Sequence, residues 1–194
     1  MRTKMAIVSS FLALGGCDLS GEESGEGGDT EGTASGGESS PGEDYCSGVS
    51  SWDAGMIEFE EDVLVLVNEA RAAGASCGGQ SFGPADPLAM NAALRCAARV
   101  HSKDMLERNF FAHDNPDGED PFVRMQQAGY EYFTAGENIA AGQPTPAAVM
   151  DGWMNSPGHC SNIMNPDFTE LGVGAFTGSG AEFSLYWTQT LGAR

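Results

Sequence analysis

Apolar side chains between Phe59 and Ala70 recur at helical intervals. Phe59, Val63, Leu66, Val67 and Ala70 stand at i, i+4, i+7, i+8 and i+11, which places them on one stripe of a helix with 3.6 residues per turn. The spacing predicts a helix from about Ile57 to Ala73, ended by Gly74. A Gly- and Pro-rich stretch from Gly74 to Pro87 follows and reads as a loop. Met90, Leu94, Ala97, Ala98, His101 and Met105 then form a second helical stripe.

Two shorter helices are expected downstream. Asp120-Pro121 and Thr145-Pro146 each set a side chain able to cap a helix before a proline suited to its first turn. The first should end at Gly129 and the second run to about Asn155. Strand-like stretches cover Ala135 to Ala141, Leu171 to Thr177 and Glu182 to Leu191, with Gly178-Ser179-Gly180 joining the last two as a hairpin. Helices flanking a small, mostly antiparallel sheet imply an α+β chain packed as a three-layer α/β/α sandwich.

The N-terminal part has a different pattern. Two basic residues, Arg2 and Lys4, precede a short apolar run from Met5 to Leu14, which leads into Leu14-Gly15-Gly16-Cys17. Residues 1–17 therefore read as a lipoprotein-type export signal ending at a lipidated Cys17; an ordinary secretory signal is the alternative, and both imply export. Residues 18–45 hold nine acidic residues, eight glycines and no basic one. So few apolar side chains cannot offset the entropy of ordering the backbone, and this segment is expected to be a disordered tether. Residues 46–194 form the expected domain.

Composition narrows the function classes. The chain carries 28 acidic and 9 basic residues, net −19, and has no Lys/Arg cluster of the kind that binds polyphosphate, so nucleic-acid binding is excluded as an expectation. No apolar run approaches the roughly 18 residues of a spanning helix, leaving the lipid as the expected link to a membrane. Apart from Cys17 there are four cysteines, Cys46, Cys77, Cys96 and Cys160. In an exported chain they allow two disulfides in three connectivities. The favoured pairing is Cys77 with Cys96, closing a modest loop, which leaves Cys46 with Cys160 to pin the N-terminal strap.

A series of short motifs follows in order: Phe110-Phe111-Ala112-His113, Asp117-Gly118, Gly136-Glu137-Asn138-Ile139-Ala140, Trp153 with Ser156-Pro157-Gly158-His159, Asn162-Ile163-Met164, Gly172-Val173-Gly174 and Tyr186-Trp187-Thr188-Gln189. In order and spacing the series resembles bacterial SCP-like proteins of the CAP superfamily (cysteine-rich secretory proteins, antigen 5, pathogenesis-related proteins), over about Val63 to Gly192. The resemblance implies an extracellular α/β/α sandwich with a surface cleft, in which two His and two Glu hold a divalent metal, usually zinc. His113, Glu137 and His159 match three of these residues. Met154, Asn155 and Ser156 follow Trp153 where the second Glu is expected, so the set is incomplete.

Imidazoles and a carboxylate are ligands that zinc accepts, and three of them would leave an open position for water. The alternative is that both histidines hydrogen-bond to Glu137 and organise the cleft without metal, and the missing ligand favours this or weak metal use over tight zinc. His101 lies on the apolar stripe and reads as a core or supporting histidine, and Ser156 before Pro157 as a capping or turn residue. The chain lacks both an HExxH arrangement and a Gly-x-Ser-x-Gly elbow.

Three function classes fit. The favoured one is a non-catalytic extracellular module that binds a lipid, peptide, glycan or protein through the cleft. Next comes a metal-dependent, peptidase-like hydrolase in which Glu137 or a histidine handles the proton of a metal-bound water. A structural envelope protein is third.

Overall fold

The computed structural model describes residues 6–10 and 41–194. Its elements in chain order are β1 (Ala6–Ser10), α1 (Pro41–Cys46), a 3-10 turn (Ser47–Val49), α2 (Ala54–Ala73), β2 (Ala75–Cys77), β3 (Gln80–Phe82) and β4 (Ala89–Met90). There follow α3 (Ala92–Glu107), α4 (Pro121–Gln127), β5 (Thr134–Ala141), α5 (Pro146–Met154), α6 (Pro157–Met164), β6 (Glu170–Thr177) and β7 (Leu185–Ala193).

Most helix starts follow local chemistry. Asp53 accepts from the Met56 amide at 3.1 Å, so α2 begins at Ala54, three residues before the expected start at Ile57. Asn91 does the same for α3, Asp120 for α4 and Thr145 for α5, each satisfying amide groups that a first turn leaves unpaired. Helix α6 was not expected. Ser156 occupies its N-cap position without a side-chain bond, and Pro157 opens its first turn.

The end of the expected tether is ordered as well. Pro41 at the first position and Glu43 and Asp44 in the first turn suit a helix N-terminus. Helix α1 thus runs across the expected boundary between tether and domain at residue 46. Residues 6–10 of the expected export segment form β1; the rest of that segment, Cys17 included, and residues 18–40 lie outside the described residues.

The main sheet has the order β1-β5-β7-β6-β4. All its neighbours are antiparallel except the β4–β6 pair. Between β6 and β7 the chain closes over residues 178–184, where the Gly178 amide donates to the Ser184 carbonyl at 3.0 Å. The connection is thus longer than the expected Gly178-Ser179-Gly180 turn, and β7 starts three residues later than the apolar pattern placed it.

Helices cover both faces, giving the three-layer α/β/α sandwich. On one face α3 lies directly on the sheet, because Gly172 and Gly174 supply no side chain there. A Cβ at either would overlap the α3 backbone at Leu94–Arg95 or Ala98–Arg99. Hydroxyls fill the rest of this contact: Thr190 Oγ1 donates to the Leu94 carbonyl at 3.0 Å, and Ser102 Oγ to the Gly174 carbonyl at 2.8 Å. On the other face α2, α5 and α6 enclose the larger core around Val63, Val67, Trp153, Ile163, Leu171 and Trp187.

Two buried charges reinforce α2. Arg71 donates to the carbonyls of Asp86, Ile163, Asn165 and Phe168 at 2.6–3.3 Å. Glu60 is fully buried and accepts from Arg95 at 2.7 Å and Arg99 at 2.6 Å, tying α2 to α3.

The disulfides join Cys46 to Cys96 and Cys77 to Cys160, with Cα separations of 5.7 and 5.4 Å. This corrects the expected Cys77–Cys96 and Cys46–Cys160 pairing. The sheet is the reason: Cys77 and Cys160 belong to the core on the α6 face, whereas Cys96 packs with Cys46 on the α3 face. Neither expected bridge is able to cross the strands between those layers.

Candidate functional site

Strand β5 sets the site through its alternation. Successive side chains point to opposite faces, so Ala135, Glu137, Ile139 and Ala141 face α3 and α4, while Asn138 and Ala140 face α6. The Glu137 carboxylate is thereby carried into the layer that holds His101 and Arg124.

Arg124 reaches it from α4. Asp120 Oδ1 accepts from the Phe122 and Val123 amides at 2.8 and 2.9 Å, and the turn so fixed directs Pro121, Arg124 and Met125 inward. Arg124 Nη2 lies 3.2 and 3.0 Å from the two oxygens of Glu137. The same nitrogen donates to the His113 carbonyl at 2.8 Å, and Nη1 to the Glu119 carbonyl at 2.7 Å. One guanidinium thus neutralises the carboxylate and staples the loop that bears His113.

That loop is organised from within. Asn115 Oδ1 accepts from the Asp117 and Glu119 amides at 3.0 and 2.9 Å, an Asx-type turn that replaces backbone pairing. His113 Nδ1 lies 2.8 Å from Glu137 Oε1. Burial alone would raise the Glu137 pKa. The charges of Arg124 and His101, with the hydrogen bond from His113, outweigh burial and hold it at about 2. An ionised carboxylate only accepts, so Nδ1 carries the proton of this bond. The other ring nitrogen, Nε2, is buried and has no hydrogen-bond partner.

His101 behaves as a buried supporting histidine. Its Nε2 donates to the Ala112 carbonyl at 2.9 Å, and its ring meets Phe110 edge-on at 5.8 Å. Burial pushes its pKa down to about 4, so the ring is neutral at pH 7. Beside this group, Phe111, Phe183 and Tyr186 form an aromatic cluster with centroids 5.9–6.5 Å apart.

His113 and Glu137 are brought together. His159 lies on α6, and its backbone carbonyl accepts from Asn138 Nδ2 at 3.3 Å. Among the described residues, no group of three or more His, Cys, Asp or Glu side chains is arranged to hold a metal ion. A divalent cation does not fit the pair either, because both oxygens of Glu137 already face the Arg124 guanidinium.

Arg124 is the residue that patterning missed. One sequence signal pointed to it: a basic side chain within Pro121-Phe122-Val123-Arg124-Met125, in a chain with only 9 basic residues. A cation set among apolar side chains is rarely buried without a carboxylate partner.

Comparison with known proteins bears on the whole domain. The profile of the "CAP: Cysteine-rich secretory protein family" matches residues 64–191. The Bacillus subtilis protein YkwD is 48% identical over 140 residues, covering 72% of this chain and 49% of that protein. An extracellular SCP-domain protein of Bacillus anthracis superposes with a TM-score of 0.57 at 28% identity, over 75% of this chain and 45% of that one. An outer surface protein of Borrelia burgdorferi superposes with a TM-score of 0.55 at 20% identity, over 69% and 93% of the two chains. This chain thus spans about half the length of these two Bacillus proteins.

Proposed function

Because this chain belongs to the cysteine-rich secretory protein (CAP) family, we propose that it is an exported binding module, held to the membrane by a lipid on Cys17 and recognising an extracellular ligand at the His113 loop. Its relatives include an extracellular protein and an outer surface protein, which supports export. No helix among the described residues is long and apolar enough to cross a membrane.

One observation carries the choice of binding over hydrolysis: the Glu137 carboxylate is spent internally. It is buried, ionised and held by Arg124 and His113. A group at about 2 is a poor proton acceptor at neutral pH, where a general base works best with a pKa near the operating value. The hydroxyls of Ser102 and Thr188 on the same face are engaged with each other at 2.8 Å, which does not suit a nucleophile. What the site offers a ligand is the loop that bears His113, with the partly buried rings of Phe110 and Phe111 preceding it in the chain. Those rings suit a lipid, glycan, peptide or protein surface that lays apolar area beside them.

The test pairs binding with turnover in the exported protein. Saturable retention on isolated cell envelopes, weakened by His113→Ala and Phe111→Ala, is expected together with no digestion of casein. Casein hydrolysis that disappears in His113→Ala or Glu137→Gln would establish the hydrolase instead.

A further inference from the structure

We propose that the Arg124 guanidinium is the resident cation of this site, standing where a divalent metal would otherwise sit, so that the cleft is closed to zinc by its own side chain. The position of the group is the first support. Arg124 Nη2 faces both oxygens of Glu137 at 3.2 and 3.0 Å, and His113 Nδ1 meets the same carboxylate at 2.8 Å. A metal bridging His113 Nδ1 and Glu137 would have to displace the proton of that hydrogen bond and sit beside the guanidinium charge.

Anchoring is the second support. Arg124 is 2% exposed and Glu137 1%, and the guanidinium is also bound to the carbonyls of His113 and Glu119. A side chain fixed by four acceptors, on the His113 loop and on β5, cannot swing away to admit an ion without unfastening that loop. The planar, permanently charged fork of arginine is suited to this place, whereas a lysine would cover fewer of these acceptors.

Substituting the arginine should therefore convert the site. An imidazole together with a zinc–nitrogen bond of about 2.0–2.1 Å spans roughly the reach of an arginine side chain. Arg124→His would place a third ligand opposite His113 and Glu137, with the ion near the present position of Nη2. The geometry thus assigns Arg124 a positioning role for His113 and an excluding role toward metals. Neither depends on which ligand the cleft binds, so envelope binding can fail while this assignment holds.

Zinc content is the readout, measured on the exported protein after equilibration with zinc and gel filtration. Because the chain is strongly acidic, each value is taken as the difference from the same protein carrying His113→Ala. The expected result is no His113-dependent zinc in wild type or in Arg124→Lys. About one zinc per chain is expected in Arg124→His, with a zinc-dependent rise in its melting temperature and loss of both effects when Glu137→Gln is added. A wild-type protein that holds one His113-dependent zinc per chain overturns the proposal, and that arm needs no variant of Arg124. An Arg124→His protein that keeps the wild-type circular dichroism yet takes up no zinc overturns it as well.

Discussion

Glu137 and Asn138 are adjacent in the chain and serve opposite faces of the sheet. Glu137 meets Arg124 and His113 beneath α4, while Asn138 Nδ2 donates to Gln189 Oε1 at 2.8 Å and its Oδ1 accepts from Asn162 Nδ2 at 2.8 Å beside α6. The two halves of one short motif therefore do different work. The acid anchors the candidate site, and the amide fastens α6 to β5 and β7.

The titration of the α3-side layer should appear in acid unfolding as two windows. Glu137 has a folded pKa of about 2 against an ordinary 4.5. Its contribution is present above about 4.5 and is lost as pH falls toward 2; it amounts to about 3 kcal/mol. His101 stands at about 4 against 6.5. The unfolded chain binds its proton first, so this stability is present above about 6.5 and is lost as pH falls to 4. Urea midpoints measured from pH 7.5 to 2.5 should show His101→Phe flattening the upper window and Glu137→Gln the lower one.

Removing the carboxylate of Glu60 should be among the costlier single changes. It is fully buried against Arg95 and Arg99, and Oε1 also accepts from the Ala175 amide at 3.3 Å. Taking away one member of a buried charge cluster leaves the others uncompensated, at a cost of about 3–5 kcal/mol. Thermal unfolding of Glu60→Ala should show a midpoint lower by on the order of 10 °C.

Peptide mapping of the unreduced protein should recover Cys46 linked to Cys96 and Cys77 linked to Cys160. The bridges close separations of 50 and 83 residues. Losing either should cost about 2–5 kcal/mol. Paired serine substitutions at Cys46 and Cys96 should free α1 to exchange amide hydrogens while the α2, α5 and α6 face stays protected. Uniform loss of protection would show that α1 is not a separate strap.

The lipid anchor is tested by phase separation in detergent. Wild-type protein should enter the detergent phase and Cys17→Ser the aqueous phase. Equal aqueous partitioning of both would remove the anchor from the functional reading.

Patterning along the chain located much of the secondary structure. Helix stops and starts at Gly74, Asp120-Pro121 and Thr145-Pro146 depend on atoms within one turn of each other, so they are visible locally. Helix α6 was hidden because Ser156-Pro157 suits a cap or a turn equally, and in the fold Ser156 holds the N-cap position without a side-chain bond. In α2 the apolar stripe was visible, but Glu60 and Arg71 share its buried face. Periodicity ranks such residues as solvent-facing, because their partners, Arg99 and the Ile163 carbonyl, lie 39 and 92 residues away.

By itself the sequence determined the layered α+β class, the family and the pairing of His113 with Glu137 through the Phe110–His113 and Gly136–Ala140 motifs. Those features rest on local geometry and on motif order, both written along the chain. Tertiary structure alone decided the disulfide partners and the burial of Arg124 against Glu137. Each depends on which face of the sheet a segment packs against, and that choice is made by the folded core as a whole.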